Sequence, residues 1–283
     1  MAHNTASPQG ILYIVATPIG NQADISDRAR DILKTVDCIA AEDTRHTRPF
    51  LNAMGITNRM LAFHAHNEAK VSASLLEKLK QGARIALVSD AGTPLIRDPG
   101  YPLVKQARDA GITVSPIPGA CALIAALSAS GLPADTFTFA GFLPAKQSER
   151  RRALQTHQAT PHTLIFYEST HRLRACLLDI AEVIGEETDM VLAKELTKTY
   201  ETFQKGHVGD ILDWLDADNA RLKGEFVLML APREVEASTS IDAETCLALL
   251  TQELSVKKAA AITAKLTGKS KNELYQQALQ AKQ

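Results

Sequence analysis

Five times within its first 118 residues the chain alternates a short, almost purely apolar run with an amphipathic helical pattern. Leu12–Ala16 (LYIVA), Cys38–Ala41, Met60–Phe63, Ile85–Val88 and Ile112–Pro116 read as strands. The most apolar of them lack the apolar–polar alternation of a half-exposed strand, so they are expected to be covered on both faces. Ser26 is placed to cap a helix carrying Ala29, Ile32, Leu33 and Val36 on one stripe. A short helix is expected around Phe50, Leu51 and Met54, stopped near Gly55. Leu75, Leu76 and Leu79 mark the next helix, closed by Gly82, and Leu103, Val104 and Ala107 one ended by Gly111. Strands and helices in strict alternation predict a doubly wound parallel sheet. Such sheets bind ligands beyond the carboxyl ends of their strands.

After Pro116-Ile-Pro-Gly119 comes a small-residue helix, 120–130, and the pattern changes beyond Leu132-Pro133. Phe137–Gly141, Thr163–Tyr167, Met190–Lys194, Glu201–Lys205 and Phe226–Ala231 read as strands, with helices around 147–157, 170–184 and 209–215. This predicts a second α/β domain with a mixed sheet. A polar linker follows over 232–240. The tail is helical by spacing, and Ser255–Ile262 and Lys271–Tyr275, flanking Gly268, resemble a helix-turn-helix. The expected division is 11–118, 119–235 and 238–283.

Composition narrows the function. A formal net charge of −1 excludes a global basic field, so nucleic-acid binding requires a local patch. Residues 144–174 carry six Lys or Arg against two Glu. From residue 241 onward there are six Lys against four acids. Cys38, Cys121, Cys176 and Cys246 are scattered, which supports neither a zinc ribbon nor a disulfide framework and fits a reducing, cytoplasmic setting. The polar first ten residues lack a signal pattern. The longest apolar run, 120–127, is too short to span a bilayer, so no membrane partner is expected.

The strand over 85–88 runs into Ser89-Asp-Ala-Gly-Thr-Pro94 and on to Asp98-Pro-Gly100. Gly92 permits close backbone approach to a ligand. Ser89, Asp90 and Thr93 offer short polar side chains, although a capped strand-to-helix turn uses the same residues. Thr17–Asn21 lies where a dinucleotide fold carries its glycine loop, but no GxGxxG is present. Glu42, Asp43, Arg45, His46 and Arg48 form a dense charged run at a strand end, either a solvated turn or a substrate contact. Ser169 or Thr170 is a natural N-cap, and the helix start beside His171 and Arg172 could take an anion. Lys194 to Glu201 packs charges suited to acid–base work or to an exposed ion-paired hairpin. His64 and His66 lack a metal-ligand pattern, and Gly268-Lys-Ser270 lacks the glycine and strand of a phosphate loop.

Seven motifs in order run from Leu12 to about Leu279. They are 15–21 (VATPIGN) with Asp24-Ile25, 41–45 (AEDTR), 89–94 with 98–100, 116–119 (PIPG), 167–169 (YES) with His171-Arg172, 194–198 (KELTK) and 224–226 (GEF). Together they resemble the tetrapyrrole-methylase family of S-adenosylmethionine-dependent transferases, and within it a branch acting on small-subunit ribosomal RNA. Arg97 stands where relatives often carry a serine. The resemblance implies the two-domain tetrapyrrole-methylase-like (class III methyltransferase) fold, a parallel sheet plus a mixed sheet with a small helical extension, and usually a homodimer. It implies that S-adenosylmethionine binds between the domains. The residues implied for it are Pro18, Ile19, Gly20, Ser89, Asp90, Ala91, Thr93, Pro94, Gly119, Ala120, Phe166, Tyr167, Leu196 and Glu225. Glu42, Asp43, Arg45, His46, His171 and Arg172 are the expected substrate contacts. Lys194, Glu195 and Lys198 are the expected catalytic groups, with Glu42 and Asp43 as rivals. No metal is expected. The implied reaction is 2′-O-methylation of a decoding-centre cytidine in 16S ribosomal RNA within the small subunit. The alternatives are a tetrapyrrole C-methyltransferase of the same fold and a non-enzymatic RNA-binding protein that retains the fold.

Overall fold

The structure, a computed structural model, describes residues 10–158, 160–233 and 242–280. The first elements are β1 (Ile11–Val15), α1 (Asp27–Thr35), β2 (Cys38–Ala41), α2 (Thr44–Ala53) and β3 (Met60–Ala62). They continue with α3 (Glu68–Lys80), β4 (Arg84–Val88), α4 (Tyr101–Asp109) and β5 (Thr113–Ile117). The five strands form one sheet in the order β3-β2-β4-β1-β5, parallel throughout. Because successive side chains point to opposite faces, Leu12, Ile85 and Leu87 pack on Leu75, Leu79 and Leu103 of α3 and α4. Val15, Ala86 and Val88 pack on Leu33 and Leu51 of α1 and α2. Coverage on both faces accounts for the unbroken apolar runs. Pro116, which lacks a ladder donor, sits on the edge strand β5, where none is needed.

The second sheet follows α5 (Ala122–Ser130). It comprises β6 (Phe137–Phe142), β7 (Thr163–Ser169), β8 (Asp189–Lys194), β9 (Thr202–His207) and β10 (Glu225–Leu230), with α6 (Gln147–His157), α7 (Leu173–Val183) and α8 (Val208–Asp216) between them. Its order is β6-β7-β10-β8-β9, and only β6 and β7 run parallel. It is the expected mixed sheet. Helices α6 to α8 cover one face through Leu154, Leu177, Ile180, Ile211 and Leu215. Leu123, Ala126 and Leu127 of α5 pack on the other, against Ile165, Val191, Val227 and Met229.

By compactness the chain forms two units, divided between Pro232 and Arg233. Both sheets lie in the first, so the expected division at 118 separates two sheets of one compact unit. The second unit holds α9 (Ala243–Glu253), α10 (Val256–Thr267) and α11 (Lys271–Gln280) around Leu247, Ala259, Ala260 and Leu274. Gly268 ends α10 in the left-handed region at φ 70°, where glycine carries no Cβ penalty. Most of the expected linker, and residues 1–9, lie outside the described residues. Among the described residues no helix is long and apolar enough to cross a membrane.

Three local expectations change. The charged run 42–48 is no solvated loop. Asp43 caps α2, its carboxylate accepting from Arg45 N at 2.8 Å, so the helix begins six residues before Phe50. Helix α7 begins at Leu173 behind Arg172, not at Ser169 or Thr170. The Thr170 hydroxyl instead bridges to Gly224 O (2.8 Å) and N (2.9 Å). Finally, most of the basic excess over 144–174 is consumed internally, with Arg152 left exposed. Arg150 and Arg151 bind Asp179, Arg151 also Glu182, Arg174 binds Asp216, and Lys146 and Arg172 face Glu149 and Glu168. Those acids lie outside the run or one turn away within it, and a count of charges along the sequence cannot pair them.

Candidate active site

The loops at the carboxyl ends of the parallel strands are tied to one another. Thr17 and Gly92 exchange two backbone hydrogen bonds, 2.9 and 3.0 Å, joining the loops after β1 and β4. The Thr93 hydroxyl donates to Ala120 O (2.9 Å), adding the loop after β5. Asp90 accepts from Asp43 N (2.9 Å), adding the one after β2. Gly92 adopts φ 82°, and a Cβ there would stand 3.2 Å from Ile19. Glycine is required at this position both for its backbone angle and for its fit.

The second sheet brings a facing loop after β8. Glu195 Oε1 accepts from Glu225 N (2.9 Å) and from Lys198 Nζ (2.9 Å), and Lys198 also reaches Glu225 (2.8 Å). Thr197 Oγ1 accepts from Asn21 N at 3.0 Å, linking this loop to the one after β1. Among the described residues the non-glycine residues at positive φ are Leu95, Arg97, Glu195 and Thr197, all in these two facing loops. Backbone strain of this kind, about 1–3 kcal/mol per residue, persists where surroundings enforce it and clusters at functional sites.

Between the loops lie two chambers. The first, about 300 Å³, is walled by Ile19, Ala91, Thr93, Tyr167, Leu196 and Val227, with Asp98 and Glu225 among its polar groups. The second, about 490 Å³, is lined by Pro18, Gly20, Ser89, Asp90, Arg45, His46, Phe50 and Lys198. Ile19, Ala91 and Glu225 belong to both. These volumes are typical of small-molecule sites. Tyr167 is fixed by an edge-on pair with Phe139 (4.8 Å between ring centroids) and by its hydroxyl, which accepts from Leu123 N at 3.0 Å. Burial raises its phenol well above the ordinary value. The Arg97 guanidinium lies 5.6 Å over the Phe142 ring and runs past Gly141, where a Cβ would stand 2.6 Å from Arg97 Cδ.

Asp98 is the most perturbed carboxyl here. Burial, followed by the neighbouring Glu42 carboxylate, pushes it up to about 6 against the opposing Ser89 hydroxyl. Glu42 is raised too, by burial and then by Asp90. Asp43 is held down at about 2 by Arg45, which forks onto it at 2.7 and 3.1 Å. Among the described residues no group of three or more His, Cys, Asp or Glu is arranged to hold a metal ion.

Of the residues expected against the cofactor, Pro18, Ile19, Gly20, Ser89, Asp90, Ala91, Thr93, Tyr167, Leu196 and Glu225 line one or both chambers. Pro94 and Gly119 do not, and Ala120 reaches the site only by accepting from Thr93. Phe166 is fully buried on the opposite face of the second sheet, because it alternates with Tyr167 along β7. Of the substrate set, Arg45 and His46 line the second chamber. Glu42 enters through its charge beside Asp98, and Asp43 is a helix cap. His171 and Arg172 lie off both linings, Arg172 paired with Glu168 at 3.4 Å.

The three residues expected to be catalytic are held in hydrogen bonds. Lys194 is buried and donates to Ala220 O at 2.8 Å. For Glu195, burial opposes ionisation, but the Lys198 and Glu225 hydrogen bonds outweigh it and hold the carboxyl below its usual value. For Lys198, burial favours the neutral amine, but hydrogen bonds to Glu225 and Glu195 outweigh that and keep it a cation. The reading of sequence missed Asp98 as a site residue. Its sequence signal was slight, an acid in a turn-rich loop beyond the central strand, because Glu42 is brought beside it only by the fold.

A family model described as Tetrapyrrole (Corrin/Porphyrin) Methylases matches residues 11–212, and one described as RsmI C-terminal HTH domain matches 237–282. The chain is 55% identical over 280 residues to ribosomal RNA small subunit methyltransferase I of Escherichia coli O157:H7, covering 98% of each. It is 50% identical over 274 residues to the protein of that name from Pseudomonas aeruginosa, covering 96% of this chain and 97% of the relative. Among solved structures, diphthine synthase superposes with a TM-score of 0.60 at 13% identity, covering 79% of this chain and 90% of that one. Uroporphyrin-III C-methyltransferase from Thermus thermophilus, complexed with S-adenosylhomocysteine, gives 0.53 at 15% identity, covering 79% and 97%. The last two show a shared fold. With more than two thirds of its length matched by the family model and nearly all of it by full-length relatives, the chain belongs to the tetrapyrrole methylase family and, within it, to the group of the ribosomal RNA small subunit methyltransferase I proteins.

Proposed function

We propose that the two chambers bind S-adenosylmethionine and a ribose, and that the protein methylates the 2′-hydroxyl of a decoding-centre cytidine in 16S ribosomal RNA. It acts in this reading as a cytoplasmic homodimer on the assembled small subunit, with the domain limits and site roles expected above except where the geometry redirects them. The observation that carries it is the pair of adjoining chambers in a chain half identical, end to end, to small-subunit ribosomal RNA methyltransferases.

The first chamber suits the cofactor. Its walls are apolar around a few polar groups, Gly92 brings backbone to its edge, and Asp98 and Glu225 place carboxylates where a cation gains from them. Ile19, Ala91, Thr93, Tyr167 and Leu196 would hold it. When bound, S-adenosylmethionine supplies an electrophilic methyl group carried on a positively charged sulfur. The residues then have two tasks. The tied loops fix the reacting groups in line and exclude water, which supplies much of the rate in such a transfer. Asp98 accepts the proton leaving the ribose hydroxyl, since a carboxylate near 6 is mostly ionised at neutral pH yet basic enough to take it.

Two measurements test this. Purified protein and methyl-labelled S-adenosylmethionine are incubated with small subunits lacking the modification, with naked ribosomal RNA and with a tetrapyrrole precursor. Label on a ribose of the subunit is the expected result, whereas label on the tetrapyrrole, or none, overturns the reading. Ala91→Leu pushes three added carbons toward the boundary shared by both chambers. It is expected to weaken cofactor binding at least tenfold by calorimetry, about 1.4 kcal/mol. Wild-type affinity would place the cofactor elsewhere.

A further inference from the structure

A third hollow, about 370 Å³, adjoins the second chamber and shares Gln22 and Phe50 with it. Arg30 and Lys34 stand one turn apart on the same face of α1, and Phe50 of α2 and Met54 at its C-cap line the same hollow. We infer that this groove is the track for single-stranded RNA flanking the reactive nucleotide, with Arg30 and Lys34 on its phosphates and Phe50 against a base.

The contrast with the rest of the surface supports the inference. In the basic run 144–174 four of the five arginines, Arg150, Arg151, Arg172 and Arg174, are paired with acids at 2.8 Å or closer or with a buried carboxylate. Along the groove the pairing is weaker. Among the described residues the Arg30 Nε is shielded from water without a hydrogen-bond partner. Its guanidinium meets only Asp27, at 3.8 Å and almost fully exposed. Lys34 is exposed and forms no ion pair among the described residues. One cation without an ion pair and one held only by a distant, exposed carboxylate, beside an aromatic ring and opening into a reactive chamber, are the elements of single-strand recognition: charge that follows the backbone and a ring on which bases stack. That the strand is RNA rests on the reading above.

The test is direct binding of a labelled single-stranded RNA of roughly a dozen nucleotides, followed by fluorescence anisotropy between about 50 and 200 mM salt, using the full chain. Arg30→Gln/Lys34→Gln is expected to raise Kd about tenfold and to flatten the log–log salt slope by about 1.4, the loss of two single-strand phosphate contacts. Lys34→Glu, at an exposed position, should weaken binding further without altering the melting temperature. Lys80→Gln/Lys105→Gln removes two cations elsewhere on the surface and should leave the slope unchanged. Equal slopes for wild type and the groove variant overturn the track, as does an equal loss in the Lys80/Lys105 control. Methyl transfer to small subunits is measured in parallel. Subunits left unlabelled by a wild type whose RNA binding depends on Arg30 and Lys34 would overturn the methylation reading and leave the groove standing.

Discussion

Asp98→Asn is expected to lower methyl transfer to the small subunit by about 10²–10⁴-fold, the usual contribution of a positioned general base, while S-adenosylmethionine still binds. The wild-type rate should rise with pH through about 6, where Asp98 ionises, and then level off. The variant should lack that limb. The groups facing Asp98 are Ser89, Glu42 and Asp90, with the Tyr167 phenol also in electrostatic reach, and acidification that protonates Glu42 removes a repulsion and lowers the apparent midpoint.

Stability supplies an independent readout with the opposite sign. The Asp98 carboxyl is raised above its ordinary 3.8 on folding. Its stabilising contribution is therefore full below about pH 4 and lost as pH rises through about 6, leaving a buried charge as a cost at pH 8. Asparagine removes that cost. Since Asp98 is partly open to solvent, the gain is on the order of 1 kcal/mol after screening, about 2–4 °C in Tm. It should appear at pH 8 and vanish at pH 4. A variant more stable at pH 8 yet far less active is the signature of a base held against its own electrostatic preference. A variant that keeps the wild-type pH–rate profile would remove Asp98 from the reaction.

Much of this was legible in the sequence, for identifiable reasons. The central strands β1, β2 and β4 declare themselves because burial on both faces forces continuous apolar runs, and Ser26 caps α1 as its residue type predicts. The chamber-lining loops followed from their place at strand ends. What stayed hidden depends on partners distant in sequence. Phe166 and Tyr167 are adjacent, and only the pleat of β7 decides which of them sees the cleft. Glu195 looks like a base until Glu225 N, thirty residues on, is found on its carboxylate. Asp98 looks like a turn residue until the carboxyl of Glu42 is brought beside it. Charge counted along the chain over 144–174 suggested a nucleic-acid footprint, whereas Arg30 and Lys34 are interspersed with Asp27 and Asp31 along α1, where the excess of one does not stand out.

Asp179→Ala is the substitution expected to cost most in stability. Asp179 is fully buried on α7 and accepts from Arg150 Nε (2.6 Å), Arg151 Nε (2.7 Å) and Gln147 Nε2 (3.1 Å), all on α6. Arg150 is itself buried, and its remaining hydrogen bonds go to the carbonyls of Ala145 (3.0 Å) and Pro144 (3.4 Å). Alanine leaves that guanidinium without its counter-ion in the core between the two helices. Breaking a buried pair from one side costs about 3–5 kcal/mol, roughly 10 °C in Tm. Replacing both partners, Arg150→Met with Asp179→Leu, should recover most of the loss, because two well-packed apolar groups avoid the desolvation that the pair endures. Burial opposes ionisation of Asp179, but the hydrogen bonds from Arg151, Arg150 and Gln147 outweigh it and hold its carboxyl below 3.8. Its contribution is thus present above about pH 4 and lost on acidification through the depressed value. The gap between wild type and Asp179→Ala should therefore close as pH falls below 4. Helices α6 and α7 cover the face of the second sheet turned away from the chambers, so methyl transfer by the folded fraction at 25 °C should match wild type. Unchanged Tm would mean that Arg150 finds water or another acceptor. In that case the arginines of 150–174 would return as candidates for the RNA surface.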